Sequence, residues 1–460
     1  MASSRSSTRA EAPRAPVARA IAAWLDALPG TAGPVAFALS GGRDSIVLLD
    51  AGAAALRSRG IGALGLHVHH GLQPDADGWS AFCAGTCAQR GIAYAERRVA
   101  VERAPRSSLE AKARDARYDA LRALAHAHGA RVVALAHHQD DQAETLLLQL
   151  GRGAGPAGLA AMPAVAVDAS GIAWCRPLLG VRRAAIDAYA RDAGLEWVED
   201  PSNADLRLRR NAVRLRVAPA FAAALPGYPA TLARAAAHQA DAAQLLDALA
   251  AIDARDARYD ADEGTLDAGA LGRLPPSRAR NLLRWFLHAR GLPPPPAARL
   301  DAMLRQLAGA KADARIELPH AGAIVGRHRG RVAVHAAASA DYDRPWHGEP
   351  TVPLPHGELA FERTVGAGVD AERAASGLAI RPRRGGERLR LARGAARRAL
   401  KSLLRESGLP AWERDALPLV MAGDALVAVP GIGIDLAWRA APGRPGWLPI
   451  WRPAGKPPES

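Results

Sequence analysis

The run Val35-Ala36-Phe37-Ala38-Leu39, then Ser40-Gly41-Gly42-Arg43-Asp44-Ser45, then Ile46-Val47-Leu48-Leu49, constrains the fold more than any other part of this chain. The order reads as a buried strand, a tight turn of small residues and the first turn of a helix. A helix N-terminus carries unsatisfied N–H groups and the positive end of the helix dipole, so it attracts anions. Two glycines let backbone amides approach a phosphate with no Cβ in the way. Ser40 and Ser45 add hydroxyl donors, and Arg43 lies in the same loop. Asp44 is the unexpected member, because a carboxylate beside a polyphosphate repels it unless a divalent cation lies between them. The segment therefore predicts a metal–pyrophosphate site with Asp44 on the metal. It is not a GxxxxGK[ST] loop, because no lysine follows the glycines.

The other strand candidates are 62–69, 92–101, 131–136 and 172–176, with helical stretches between them. Alternating β and α segments predict an α/β fold, a doubly wound parallel sheet, with ligands at the carboxyl ends of the strands. Ser107-x-x-Glu110 reads as a capping box opening a helix that Gly129 closes. We delimit a disordered tail over 1–16, a catalytic domain over 17–217, a mainly helical middle domain over 218–335, a linker over 336–377 and a small basic α+β domain over 378–452. In the middle domain Leu245, Leu246, Leu249 and Ile252 form one apolar stripe, and Leu282, Leu283, Phe286 and Leu287 another. No strand is expected there before 315. Short strands follow at Ile316 to Leu318, Ala323 to Val325 and Val332 to Val334. The C-terminal domain contains a strand from Leu426 to Val429 and a basic helix over 394–407.

The chain of 460 residues has a formal net charge of +14, which favours a polyanionic partner and makes nucleic acid the leading candidate. The basic residues concentrate in 381–405, which holds ten Lys/Arg and one acid, Glu387. Arg384, Arg390, Arg397, Arg398 and Lys401 are the candidates there for RNA phosphates; a solvated basic face is the alternative. No apolar stretch is long enough for a membrane span. Three cysteines, Cys83, Cys87 and Cys175, fit a reducing cytoplasm. Cys83 and Cys87 share a helical face, but no further ligands complete a zinc site.

Two motifs follow strands. In His67-Val68-His69-His70-Gly71-Leu72, His67 and His69 share a face; they either contact a nucleotide or cap a backbone carbonyl. In His137-His138-Gln139-Asp140-Asp141-Gln142-Ala143-Glu144, Asp141 and Glu144 share a helix face. Clustered acids in a basic protein need a cation, and Mg²⁺ shared between ATP and one or two carboxylates meets that need. Helix capping by Asp140 or Asp141 is compatible with it. Arg152, in the glycine-rich loop 152–159, is placed to reach a phosphate or a nucleobase. Glu199-Asp200-Pro201-Ser202-Asn203 leads into a basic helix carrying Arg207, Arg210, Asn211 and Arg214, which binds nucleic acid or nucleotide, or is merely solvated.

The loop resembles the SGGxDS element of PP-loop ATP pyrophosphatases, in a Rossmann-like domain. With HVHHGL, HHQDDQAETLL, RGAGPAGLAAM, EDPSN…RRNAVR, RPRRGGERLR and LKSLLRESGLPAWERDALPLV, the chain resembles the tRNA(Ile)-lysidine synthetase family. The likeness is strong over the catalytic and C-terminal domains and weaker over about 218–375. It implies a C–N bond-forming ligase, with ATP as substrate and Mg²⁺ as cofactor. The partners it implies are L-lysine and a tRNA(Ile) with a CAU anticodon, modified at the wobble cytidine. It also implies catalytic roles for Asp44 and Asp141 as metal ligands, with Glu144 and His137 orienting or deprotonating the lysine amine. The family includes homodimers, although no segment here argues for one. A tRNA thiolase would rely on cysteines this chain lacks, and a non-catalytic tRNA binder has no use for an acid cluster.

Overall fold

The computed structural model describes residues 12–28, 33–69, 71, 75–99, 109–311, 314, 316–336, 341–409 and 411–453. Most of the expected tail, His70, Leu72 and the Ser107 end of the capping box lie outside them. The chain forms two compact units, Met1–Leu245 and Leu246–Ser460.

The first unit begins with α1 (Ala15–Ala27), so ordered structure starts inside the segment expected as tail. Val17, Ile21, Trp24 and Leu25 bury one face of that helix, which is reason enough for it to be held. Then follow β1 (Val35–Leu39), α2 (Arg43–Arg57), β2 (Ala63–His69), α3 (Ala76–Gln89), β3 (Ala93–Arg98), α4 (Leu109–Ala127), β4 (Val132–Ala134), α5 (Gln139–Leu150), α6 (Pro156–Leu159), β5 (Val165–Val167), β6 (Ala173–Cys175), α7 (Arg183–Asp192) and α8 (Arg209–Ala212). The sheet order is β3-β2-β1-β4-β6-β5. All pairings are parallel except β5 with β6, an antiparallel edge absent from the sequence expectation. Val165 and Val167 on β5 are exposed, so β5 lacks the apolar signal of a buried strand.

Helices cover both faces. Leu48, Leu49, Ile186 and Tyr189 pack with Phe37 on one face, and Leu121, Leu124 and Ala125 pack with Leu66 and Trp174 on the other. A Cβ on Gly52 would sit 2.5 Å from the Phe37 ring, so α2 lies directly against β1 only because that position is glycine. Strand order reverses between β1 and β4. The loops after both strands open at that switch point, where such sheets bind ligands.

The second unit begins within the helix Tyr228–Asp256. A four-stranded antiparallel sheet follows, its strands Thr265–Asp267, Arg331–Ala336, Ala323–His328 and Ile316–His320 in spatial order. The strand at Thr265–Asp267 corrects the expectation of none before 315. Only three residues long, it carries no readable alternation. Leu282, Leu283, Phe286 and Leu287 are fully buried, as their spacing indicated. The other stripe is corrected: Leu245 is 71% and Ile252 51% exposed. Over 245–256 the buried positions on that helix are Ala250, Asp253 and Ala254, and Asp253 is paired with Arg278. Small side chains and an ion pair, rather than leucines, make its packed face.

The expected linker over 336–377 is also corrected. Strands Arg344–Trp346, Thr351–Leu354, Gly357–Val365 and Val369–Asp370 lie in it and join two sheets with strands near the C-terminus. Gly357–Val365 pairs along its whole length with Pro445–Pro453. Gly348, Pro350, Pro355, Gly366 and Gly368 lie between these strands, whereas Pro345 and Pro353 lie within the two edge strands, where a missing N–H is tolerated. The expected basic helix shortens to Leu400–Glu406, because Arg398–Ala399 pairs as a strand with Arg388–Leu389. No helix among the described residues is long and apolar enough to cross a membrane.

Candidate active site

A cavity of about 970 Å³ opens at the carboxyl ends of β1 and β4. Its lining includes Ser40, Gly42, Arg43, Asp44, Ser45 and Asp141. Ser45 Oγ donates to Gly42 O at 2.7 Å, and Ser40 N donates to Ser45 Oγ at 3.3 Å, which curls the loop back on the helix. No side chain caps α2 at Gly42; Ser45 N donates to Gly42 O at 3.0 Å and Gly42 N to Ser40 Oγ at 3.3 Å, which leaves the Arg43 and Asp44 amides of the first turn for an anion. Gly41 has φ +78°, and a Cβ there would lie 2.7 Å from Val198 Cγ2. Val198 N donates to Gly41 O at 3.0 Å, so the segment after α7 straps the loop from outside. Arg43 pairs with Asp187 at 2.9 Å and lies over Trp197, its guanidinium carbon 5.8 Å from the ring centre.

α5 brings the second motif to the same cavity. His138 is its N-cap: His138 Nδ1 accepts from Asp141 N at 3.3 Å and Asp141 Oδ2 accepts from His138 N at 3.0 Å. With Nδ1 accepting, the ring proton lies on Nε2, which faces Asp141 Oδ2 at 3.5 Å and Asp44 Oδ2 at 3.7 Å. His138 thus joins the two motifs. Burial opposes charge on its ring, but Asp44 and the charges of Asp141 and Asp140 outweigh it and raise its pKa. Burial likewise disfavours a charged Asp44, yet His138 and Arg43 hold its carboxyl below the usual range. Asp141 is also held low, with His138 and Arg210 outweighing burial. Asp140 turns away: its Oδ2 accepts from Arg183 N at 2.9 Å at the start of α7.

The cations beside the acids are arginines. Arg210 donates to Glu144 Oε2 and Asp141 Oδ1, both at 3.0 Å. Arg214 donates to Glu144 Oε1 at 2.6 Å and to Asp141 Oδ1 at 2.9 Å. Both come from α8 and the π-helical turn Val213–Val217 that continues it. Expected as RNA contacts, they are committed to the acid pair in this structure. Arg207 is exposed and forks onto Asp205. Asn211 is buried and donates to Ser202 O at 2.8 Å and Asp205 O at 3.1 Å, so it holds the 202–205 turn rather than facing a ligand.

Among the described residues no cluster of three His, Cys, Asp or Glu side chains is placed to hold a metal. Asp44 Oδ1 is nonetheless sequestered with no hydrogen-bond partner. A carboxylate oxygen with no hydrogen bond, Arg43 Nε lying 3.6 Å from it, beside this loop fits Mg²⁺, which takes one or two carboxylates and fills its sphere with phosphate and water. Asp141, with both oxygens engaged, fits less directly. His137 lines the cavity, and burial pushes its imidazole down to about 3. It is a neutral polar group at physiological pH and a poor base.

His67 Nδ1 donates to Leu39 O at 2.9 Å, the carbonyl-capping alternative, while its ring also lines the cavity. His69 Nε2 lies 3.2 Å from Asp77 Oδ1. Arg152 is exposed beyond the far end of α5 and does not line the cavity. Gln142 reads the main chain of the glycine-rich segment instead, donating to Met162 O at 2.7 Å and accepting from Met162 N at 2.9 Å. Cys83 and Cys87 are fully buried, their thiols pushed up to about 12 and about 11 mainly by burial. In the second unit Arg384 pairs with Asp341 and Arg398 with Glu406, while Arg397 Nη2 lies 3.7 Å from Asp435. Arg390 and Lys401 are exposed. The sequence reading missed Asp187, Trp197 and Val198; only the neighbouring Glu199-Asp200-Pro201 signalled that this segment mattered.

Three family models match the chain: a PP-loop domain over 15–221, a TilS substrate binding domain over 266–333 and a TilS substrate C-terminal domain over 378–451. Curated relatives named tRNA(Ile)-lysidine synthase include those of Burkholderia pseudomallei and Ralstonia nicotianae. The first is 42% identical over 94% of this chain and 96% of its own length; the second is 42% identical over 95% and 96%. The protein from Chromobacterium violaceum is 42% identical over 94% of this chain and 98% of its own. Among solved structures, the U34-tRNA thiolase NcsA from Methanococcus maripaludis is 16% identical with a TM-score of 0.42 over 49% of this chain and 79% of that one. With likeness along nearly the whole chain and a phosphate loop joined to an acid pair through His138, the protein is an enzyme that belongs to the tRNA(Ile)-lysidine synthase family.

Proposed function

We propose that this protein ligates L-lysine to C2 of the wobble cytidine of a CAU-anticodon tRNA(Ile), consuming ATP and turning an AUG reader into an AUA reader. The cavity walled by both the phosphate loop and Asp141 carries the reading, because one site must hold a nucleotide and a second, amine-bearing substrate. In the first step the C2 oxygen of cytosine attacks the α-phosphate of ATP, the α–β bond breaks and pyrophosphate leaves. In the second the lysine ε-ammonium gives a proton to the Glu144 carboxylate, the freed amine attacks C2 of the adenylated cytidine, the C2–O bond breaks, and AMP leaves with the former C2 oxygen.

The Arg43 and Asp44 amides and the Ser40 hydroxyl hold the pyrophosphate as charge builds on it, while Ser45 Oγ and N, donating to Gly42 O, fix the loop around it. Asp44 would hold Mg²⁺, which would supply charge neutralisation on the phosphates. His138 keeps Asp44 ionised and oriented. Asp141 and Glu144 offer negative charge to an incoming ammonium group, with Arg210 and Arg214 balancing that charge until it arrives. His137 orients, since a group of such low basicity cannot take the amine proton. An anticodon-loop base is unpaired, so it enters a pocket without opening a duplex. The cytoplasm, where tRNA and ATP meet, is the proposed compartment.

The test is ATP- and tRNA-dependent incorporation of labelled lysine into a CAU-anticodon tRNA(Ile) transcript with Mg²⁺. No incorporation into a competent transcript sinks the reading.

A further inference from the structure

A second cavity, of about 490 Å³ and open to solvent, lies in the second unit, bordered by Asp341, Tyr342, His356, Arg383, Arg384 and Asp415. Its volume suits one small ligand and excludes a duplex. Arg383 Nη2 lies 3.3 Å from Asp415 Oδ1, and Arg384 Nη2 reaches the two oxygens of Asp341 at 3.0 and 3.1 Å. Each guanidinium thereby commits one nitrogen to a carboxylate, and a guanidinium has five N–H donors, so donors remain at both for an anion. Tyr342 is half-buried, and burial pushes its phenol up to about 12, which keeps it a neutral donor. His356 is half-buried, and its Nε2 is sequestered with no partner among the described residues. Burial lowers its pKa, which favours the uncharged ring.

Two aromatic rings beside two guanidinium planes make the chemistry that holds an unpaired base by stacking and its phosphate by charge. The carboxylates that brace the arginines also limit non-specific attraction, since two acids face two bases. From Arg384 the chain continues into exposed Arg388, Arg390, Arg393 and Arg397, a path for a phosphate backbone. The base stripe and the pocket are therefore consecutive along the chain.

We propose that this pocket takes one unpaired nucleotide of an RNA, with its base against Tyr342 and His356 and its phosphate on Arg383 and Arg384. That the RNA is a tRNA rests on the function proposed above; the pocket's preference for an unpaired nucleotide does not.

The test uses the full chain and three probes: an RNA hairpin with a single-stranded tail of about five nucleotides, the same hairpin blunt-ended, and free AMP or CMP. Wild-type protein is expected to bind the tailed hairpin about tenfold more tightly than the blunt one, the size of one stacked base. His356→Ala and Arg384→Gln should each cut that preference to about threefold or less. Arg384 is exposed, so its substitution leaves the fold in place if His356→Ala does not. Equal binding of both hairpins by wild type, or an undiminished preference in both variants, overturns the proposal. Competition by free AMP or CMP at micromolar concentration makes it a free-nucleotide site and overturns the RNA assignment. Loss of lysine incorporation with the tail preference intact sinks the lysidine reading and leaves the pocket standing.

Discussion

Arg214 grips Glu144 through a fork, Nε to Oε1 at 2.6 Å and Nη2 to Oε2 at 2.9 Å, while the same Nη2 reaches Asp141. A planar guanidinium can satisfy two carboxylates at once, and a lysine ammonium cannot reproduce that geometry. Arg214→Lys should therefore lower stability by about 1–3 kcal/mol, because one carboxylate oxygen in a buried cluster loses its donor. Thermal melting checks this, and an unchanged melting temperature would mean that the fork carries no net stabilisation.

Asp44→Asn keeps the shape of the side chain and removes the charge that His138 and Arg43 stabilise. Turnover should fall by at least about a hundredfold, the scale of losing one electrostatic stabiliser. Affinity for tRNA should stay within about twofold, since a carboxylate neutralises no RNA phosphate. Single-turnover assays with binding titrations separate the two, and near-normal turnover contradicts a metal role for Asp44.

Gly41→Ala places a methyl group 2.7 Å from Val198 Cγ2 at a backbone φ of +78°. Strain of about 1–2 kcal/mol is expected at such a position. The effect should appear mainly as a raised KM for ATP, because the strained loop is the one that meets phosphate. Val198→Ala should recover part of the affinity by making room; failure of that rescue would place the strain in φ alone.

Asp168 offers a stability test away from the active site. Its carboxylate accepts from Ser170, Arg122, Trp174 and the Ile172 amide. Although burial opposes charge, these bonds hold its pKa below the usual value. A depressed folded pKa adds stability above the unfolded carboxylate value of about 4, lost as pH falls toward the folded value. Wild-type stability should drop across that acid window by more than in Asp168→Asn. Melting curves between about pH 3 and pH 7 decide it, and parallel profiles for the two proteins contradict the assignment.

Exposed Arg388, Arg393 and Arg397 provide a cleaner probe of RNA binding than deletion of 378–460. That deletion would remove Pro445–Pro453 from beside Gly357–Val365 and break a sheet. Replacing the three arginines by Ala should reduce the salt slope of RNA binding by about 0.7–0.9 for each phosphate no longer neutralised. An unchanged slope would take the stripe out of the interface.

Much of this protein was legible in its residue order. The apolar run 35–39 and the small residues after it specified a strand and a phosphate loop, because hydrophobic period and glycine conformation are local properties. Asp44 and the acid pair on α5 were legible for the same reason: three-residue spacing puts Asp141 and Glu144 on one helix face. The long-range partners were not. Whether the acids meet a metal or Arg210 and Arg214 depends on side chains 66–73 positions away. The strap of Val198 over Gly41 and the pairing of Arg43 with Asp187 likewise join segments far apart in sequence. The strands over 344–370 had too little alternation to read, and Gly357–Val365 and Val369–Asp370 find their partner near the C-terminus. Local chemistry named the loop proposed to meet phosphate, and only tertiary packing, which decides which charges share one low-dielectric pocket, set the partner of each acid.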